Sequence, residues 1–300
     1  MFPEVEQIRL VYLRELRAPF FVAVILPTLL GTAIAHPGVG GIRALPLLLC
    51  LLGTVMIHGG SNVVNDLFDY RSGTDRVNRN RGPLNGGSPF LLSGELSQEE
   101  VKRLAIALYS VGGASAVLLS LLVGWIVLPL FLAGGAIGYL YTHPSGNLAG
   151  RGLGEVAVWF AFGPLAVGTA YCAQTAVVSL EAVVMGVPMG FLVAGVILVN
   201  EIPDALADRL AGKWHLVVRL GGENAGPLFR GFMLAAFLPL PASVAVGAAP
   251  PSLLAGLAGA PLAWKCCRWI SRDEIPLAQR GTVMVMVVAG GAMSLSQLFL

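Results

Sequence analysis

The 300 residues could bury a sizeable soluble core, but 56% of them are hydrophobic and only 12% are charged, against about 25% in a soluble domain. With a mean hydropathy of +0.77, there are too few charges to cover such a core, which excludes a soluble enzyme and a disordered chain. A net charge of +2 excludes a nucleic-acid binder with a basic face.

A helix that crosses a bilayer needs about 20 mostly apolar residues. In chain order the sequence predicts nine such spans, at 18–36, 44–65, 103–123, 124–142, 153–172, 182–202, 225–246, 249–265 and 281–300. The third and fourth join at Gly124-Trp125, whereas long stretches follow the second and the sixth. Ser97 and Glu100 read as a capping box at the start of the third. With the N-terminus in the cytoplasm, 18 of the 19 Lys and Arg fall on the cytoplasmic side, among them Arg9, Arg14 and Arg17 in the N-terminal tail. Only Arg43 falls outside, a strong positive-inside pattern. Four cysteines make no disulfide framework; Cys50 and Cys172 sit in apolar runs, and Cys266 and Cys267 are neighbours.

The acids are concentrated. Five of the six Asp lie in two short segments: Asp66, Asp69 and Asp75 after the second span, and Asp204 and Asp208 after the sixth. Both segments sit at the cytoplasmic ends of even-numbered spans, so they face the same side. His58, Asn62, Asn65, Asp66 and Asp69 follow one helical face. Polar groups on such a stripe are costly at a membrane interface unless they face a polar cavity or a partner. Pro203 cannot donate a backbone hydrogen bond and predicts a kink or restart, aiming Asp204 and Asp208 into the loop. Val64–Asp69 matches Val199–Asp204 at an offset of 135 residues and four spans, which predicts a parallel repeat within a single domain, 1–300.

Facing carboxylates repel unless cations lie between them. Oxygen ligands suit Mg²⁺, which is commonly held by carboxylates together with a substrate phosphate. This makes Asp66, Asp69, Asp75, Asp204 and Asp208 candidate metal ligands. Arg71, Arg76, Arg79, Arg81, Arg209 and Lys213 lie beside them, and mixed acid and base points to a metal-bound phosphate or diphosphate. The run Gly82–Pro89 could bring backbone amides to a phosphate. Gly150–Gly154 is glycine-rich but follows no strand and is no dinucleotide fingerprint.

The segment Asn65–Asp75 resembles the first acidic motif of the UbiA family of intramembrane prenyltransferases, and Asp204–Lys213 resembles the second. Tyr139–Thr142 and Gly152–Glu155 look like the stretch between its fourth and fifth helices. Gly86–Ser88, Gly152–Glu155 and Gly212-Lys213 resemble most the members that prenylate 1,4-dihydroxy-2-naphthoate in menaquinone synthesis. The resemblance implies an all-α polytopic protein of the cell (inner) membrane, with nine helices around a central cavity capped by cytoplasmic loops 70–102 and 203–224. It implies two Mg²⁺ ions bridged by an isoprenyl diphosphate. Asn65, Asp66, Asp69, Asp204 and Asp208 would be metal ligands. Arg71, Arg151 and Lys213, with Arg209 beside them, would hold the diphosphate. Asn62 and Tyr139 would lie near the reacting carbon. The partners implied are an aromatic acceptor and membrane lipid. A basic residue is expected where Pro203 stands, and a small or hydroxyl residue near Trp214-His215. Other acceptors (4-hydroxybenzoate, homogentisate, a prenylated glycerol phosphate) stay open. A cation-coupled transporter would need acids in mid-helix, and a phosphatidyl-alcohol transferase would need an Asp-Gly and Ala-Arg pattern absent upstream of Asp204.

Overall fold

A computed structural model describes residues 11–300; Arg9 lies outside them. The described residues are helical, with no strands. Seven helices are long and apolar enough to cross a membrane. They are α1 (Ala18–Val39), α2 (Ala44–Ser72), α3 (Gln98–Val123), α5 (Gly154–Thr175), α6 (Leu180–Leu210), α7 (Gly222–Ala245) and α9 (Ile275–Gln297). The two other predicted spans differ. The fourth is α4 (Val127–Leu140), shortened to 14 residues by turns at both ends. The eighth starts as a 3-10 helix at Pro251–Gly259, behind Pro250, and continues as α8 (Ala260–Ser271).

Local signals explain several boundaries. Ser97 Oγ accepts from the amide of Glu100, and Glu100 Oε2 accepts from the amide of Ser97, so the capping box forms and α3 starts at Gln98. Helix α2 continues to Ser72, beyond the predicted limit near 65, and stops at Gly73 with φ +86°. Asp66 and Asp69 therefore sit in its last two turns, while Asp75 lies beyond it. The chain does not restart at Pro203: α6 runs through it to Leu210. The ring removes one backbone donor without ending the helix. In α5 the chain instead widens into a π turn, Ala161–Leu165, at Pro164.

Helix α6 is central: Met189, Leu192, Leu198 and Val199 are all at 1% exposure or less. Small residues bring the rods together. A Cβ on Gly190 would sit 2.2 Å from the carbonyl of Trp159, and one on Gly31 would sit 2.1 Å from that of Val167. This is the close approach that packs helices in lipid, where burial alone gives no driving force. The outward faces carry Leu48, Leu121, Leu132 and Leu234, all exposed, as a lipid-facing surface requires.

Candidate functional site

The last turns of α2 and α6 converge on one cavity of about 250 Å³. Its inner wall is apolar and aromatic, with Phe20, Ile57, Phe131 and Phe162, the last from the π turn of α5. Its polar end carries Asn62, Asn65, Asp69, Asp75, Asp204, Asp208 and Lys213. Seven of the sequence-predicted residues are thus brought together from α2, α6 and the segments that follow them.

Asp69 Oδ2 accepts from Asn65 Nδ2 at 3.1 Å, one turn earlier, and from Lys213 Nζ at 3.0 Å. Asn62 donates to the carbonyl of Leu16. Burial disfavours charge on Lys213, but Asp69 and Asp208 outweigh it and hold the ammonium above its usual range. Asp75 lies in a short helix, Thr74–Val77, 2.8 Å from Arg81 Nη2. Burial, then the charge of Asp69, pushes its carboxyl up to about 7 in spite of that arginine.

Asp204 is held by the segment after α2. Its Oδ1 accepts from Asn78 at 2.8 Å and Asn85 at 2.7 Å, and its Oδ2 from the amide of Gly86 at 2.9 Å. Asp208 Oδ2 lies 3.0 Å from His215 Nε2. Asp66 is fully buried and does not line the cavity. Its Oδ2 accepts from the amide of Ser88, and its Oδ1 has no hydrogen-bond partner, 3.9 Å from Arg17. The glycine run therefore brings amides to aspartates. Gly87 has to be glycine here: its φ is +70°, and a Cβ would fall 2.8 Å from Asp66 Oδ1.

The other predicted residues lie outside the cavity lining. Arg71 is two positions past Asp69, about 200° around the helix; it bonds Gln98 and stacks over Phe68. Arg209 is exposed over the Trp214 ring. Arg151 is exposed, and its carbonyl accepts from Arg219. Tyr139 is 42% exposed and stacks on His143, while Tyr141, on the opposite side of the turn, lines the cavity.

Several contributors carried no sequence signal of their own. Arg17 lines the cavity. Glu15, also buried, accepts from the Ser88 hydroxyl, and burial together with Asp66 pushes its carboxyl up to about 7. Asn78 and Asn85 look like ordinary loop residues in the sequence.

The donor set is almost wholly oxygen, and one buried carboxylate oxygen, on Asp66, is unpartnered. Such a set suits a hard divalent cation carrying a phosphorylated ligand. The apolar wall behind it suits a hydrocarbon.

The chain is similar to known proteins. A zebrafish (Danio rerio) UbiA prenyltransferase domain-containing protein 1 is 30% identical over 214 residues, covering 70% of this chain and 61% of that protein. The chain thus spans less than two thirds of that relative's length. The 1,4-dihydroxy-2-naphthoate octaprenyltransferase of Bacillus subtilis is 25% identical over 252 residues, 84% and 79% of the two chains. The fold matches a UbiA homolog from Archaeoglobus fulgidus, solved bound to GPP and Mg²⁺, with a TM-score of 0.67, 18% identity and coverage of 97% and 100%. The UbiA prenyltransferase family model matches residues 24–288, nearly the whole rod assembly and both acidic helix ends, and the chain belongs to that family.

Proposed function

We propose that this protein transfers a polyprenyl group from an isoprenyl diphosphate to an aromatic acceptor, with 1,4-dihydroxy-2-naphthoate as the acceptor, inside the cell membrane. The observation that carries this reading is the single cavity with carboxylates from two helix ends at one pole and aromatic and aliphatic side chains at the other. The Bacillus subtilis relative's name supports the acceptor, and the Archaeoglobus fulgidus homolog's bound GPP and Mg²⁺ support the donor and the metal.

Asn65, Asp69, Asp75, Asp204 and Asp208 would hold the metal, two Mg²⁺ ions in this reading, with Asp66 behind them. Bound Mg²⁺ would neutralise charge on the departing pyrophosphate. Asp204 keeps one free lone pair on Oδ2 for a metal, and would give up a hydrogen bond from Asn78, Asn85 or Gly86 only to contribute more. Lys213 and Arg17, both in the lining, are the cations placed to meet the diphosphate. The allylic carbon–oxygen bond breaks, the electron pair leaves with pyrophosphate, and the carbocation lies among Phe131, Phe162 and Tyr141, whose π faces stabilise it. The apolar wall excludes the water that would trap it. The acceptor ring attacks and the displaced ring group leaves: carbon dioxide from a naphthoate carboxylate, otherwise a proton.

The same reading has nine crossings with a cytoplasmic N-terminus, the remaining two being α4 and the rod Pro251–Ser271. Nine 3-10 residues and twelve α residues reach roughly 36 Å, enough for a core of about 30 Å. It also has the two halves as a parallel repeat, with the cavity open to the cytoplasm. The test is a purified-protein assay of several aromatic acceptors against labelled prenyl diphosphates with Mg²⁺. Prenylated naphthoate is expected; no prenylated product with any acceptor overturns the reading, and product only with another acceptor overturns the acceptor.

A further inference from the structure

Beside the aspartates lies a second cluster that this chemistry does not use. Glu155 stands in the first turn of α5, Glu201 in α6, one turn before Asp204, and His215 in the turn after α6. One ligand atom from each lies within 4.8 Å of the other two. Glu155 is 1% exposed and His215 fully buried. Three atoms here have no hydrogen-bond partner: Glu155 Oε2, Glu201 Oε2 and His215 Nδ1.

The remaining atoms are fixed from outside. Glu155 Oε1 accepts from the amide of Leu216 at 2.7 Å. His215 Nε2 lies 3.0 Å from Asp208 Oδ2, and its Nδ1 faces Glu201 Oε2 at 3.4 Å. A histidine that ligates a metal nearly always donates its other N–H to a carboxylate or carbonyl, and that bond sets the ring. Here the outer contact to a carboxylate is built, and the inner face holds Nδ1 and two carboxylate oxygens without partners. Three buried polar atoms turned toward one another without partners are costly, and a cation between them would satisfy all three.

We propose that Glu155, Glu201 and His215 form a separate binding site for a divalent ion of the zinc class. Carboxylate and imidazole are both zinc ligands, whereas Mg²⁺ favours oxygen alone. Bonds of about 2.0–2.2 Å close this spacing with small side-chain shifts. The ion ties α5, α6 and the 211–216 turn together. Through the imidazole it positions Asp208, and through Glu201 it fixes part of the cavity wall.

The test needs no turnover, so its outcome is independent of the prenyl-transfer reading. Metal-stripped protein in detergent is dialysed against micromolar Zn²⁺ with excess Mg²⁺, and bound zinc is counted by elemental analysis. One Zn²⁺ per chain is expected, and it should survive in the Asp69→Asn, Asp204→Asn double variant. Glu201→Gln and Glu155→Gln should each weaken binding at least about 10²-fold, the upper end of what losing even an outer hydrogen-bond partner costs. Should those variants not fold, zinc-edge X-ray absorption of the wild type decides, with one imidazole expected in the shell. The proposal is overturned by no zinc retained against Mg²⁺, by unchanged binding in Glu201→Gln, by loss of zinc in the aspartate double variant, or by a shell without imidazole.

Discussion

The two acidic helix ends look alike in sequence but are held in opposite ways. At the end of α2, Asp69 is met by Lys213, from the segment that follows α6. At the end of α6, Asp204 is met by Asn78, Asn85 and Gly86, from the segment that follows α2. Each motif is therefore strapped by the loop of the other. The partners also differ in kind: the first strap is one ammonium, the second a set of neutral donors that reaches both oxygens. A cation compensates charge and can turn from Asp69 to an arriving phosphate. Neutral donors only satisfy lone pairs, and with three of the four on Asp204 taken they compete with a metal for it. The first end is thus charge-balanced without metal, while the second is closed by its loop.

The largest expected effect removes the carboxylates themselves. Asp69→Asn or Asp204→Asn should lower kcat by on the order of 10³-fold, because ions that bridge ligands and substrate act as a unit. Activity undiminished in EDTA would remove the metal from both ends and dissolve the comparison.

Next comes the ammonium strap. Lys213→Met should lower kcat by about 10²-fold, the scale of one donor to developing negative charge. Arg71→Ala and Arg151→Ala provide the contrast. The motif resemblance gives them to the diphosphate, whereas the structure turns them away from the cavity. Steady-state kinetics on monodisperse variants separates the two: losses at Arg71 and Arg151 as deep as at Lys213 would mean that the loops rearrange around substrate.

The neutral strap should show itself in stability more than in rate. Asn85→Ala removes a buried bond to Asp204 and should cost the metal-free protein about 1–3 kcal/mol, read as a lower melting temperature. With Mg²⁺ and pyrophosphate bound, the gap should narrow, since the metal competes with the strap for Asp204 in both proteins. An unchanged gap would show that the strap stays closed in the loaded state.

The smallest effect is on pH. Glu15 and Asp75, both near the α2 end, have carboxyls raised to about 7. A raised acid binds its proton more tightly in the folded state. Its contribution is fully present below the ordinary carboxylate range and is lost as pH rises through about 7. Metal-free protein should therefore lose stability between about pH 4.5 and 7, and Mg²⁺ affinity should rise over the upper part of that window as the ion displaces protons. Melting curves and Mg²⁺ titrations at pH 5.5 and 7.5 check both signs; a melting temperature that rises with pH would remove these two carboxyls from the account.

What the sequence by itself determined is what depends on composition and period. Apolar runs of about 20 residues located the seven long rods, because a backbone in lipid must satisfy its own hydrogen bonds. The Ser97–Glu100 box located the start of α3, since capping is local. The stripe Asn62, Asn65, Asp69 reached the cavity because helical period alone puts those residues on one face. Period also carries the warning about Arg71 and Tyr139: each is two residues from a lining position and so on the far side of its helix.

Tertiary structure decided the rest. Pro203 reads locally as a break, but α6 carries on as helix through it to Leu210, with Ala207 and Asp208 buried just beyond. Asp66 and Asp69 are three residues apart in one motif, yet only Asp69 faces the cavity, because the segment carrying Gly87 and Ser88 folds over Asp66. Nothing local in Asn78, Asn85, Arg17 or Glu15 marks them, and nothing within reach of one helix turn joins Glu155 to Glu201 and His215. Those contacts span from 14 to well over 100 residues of chain, so they exist only once the rods have packed and brought the two acidic ends to one pole.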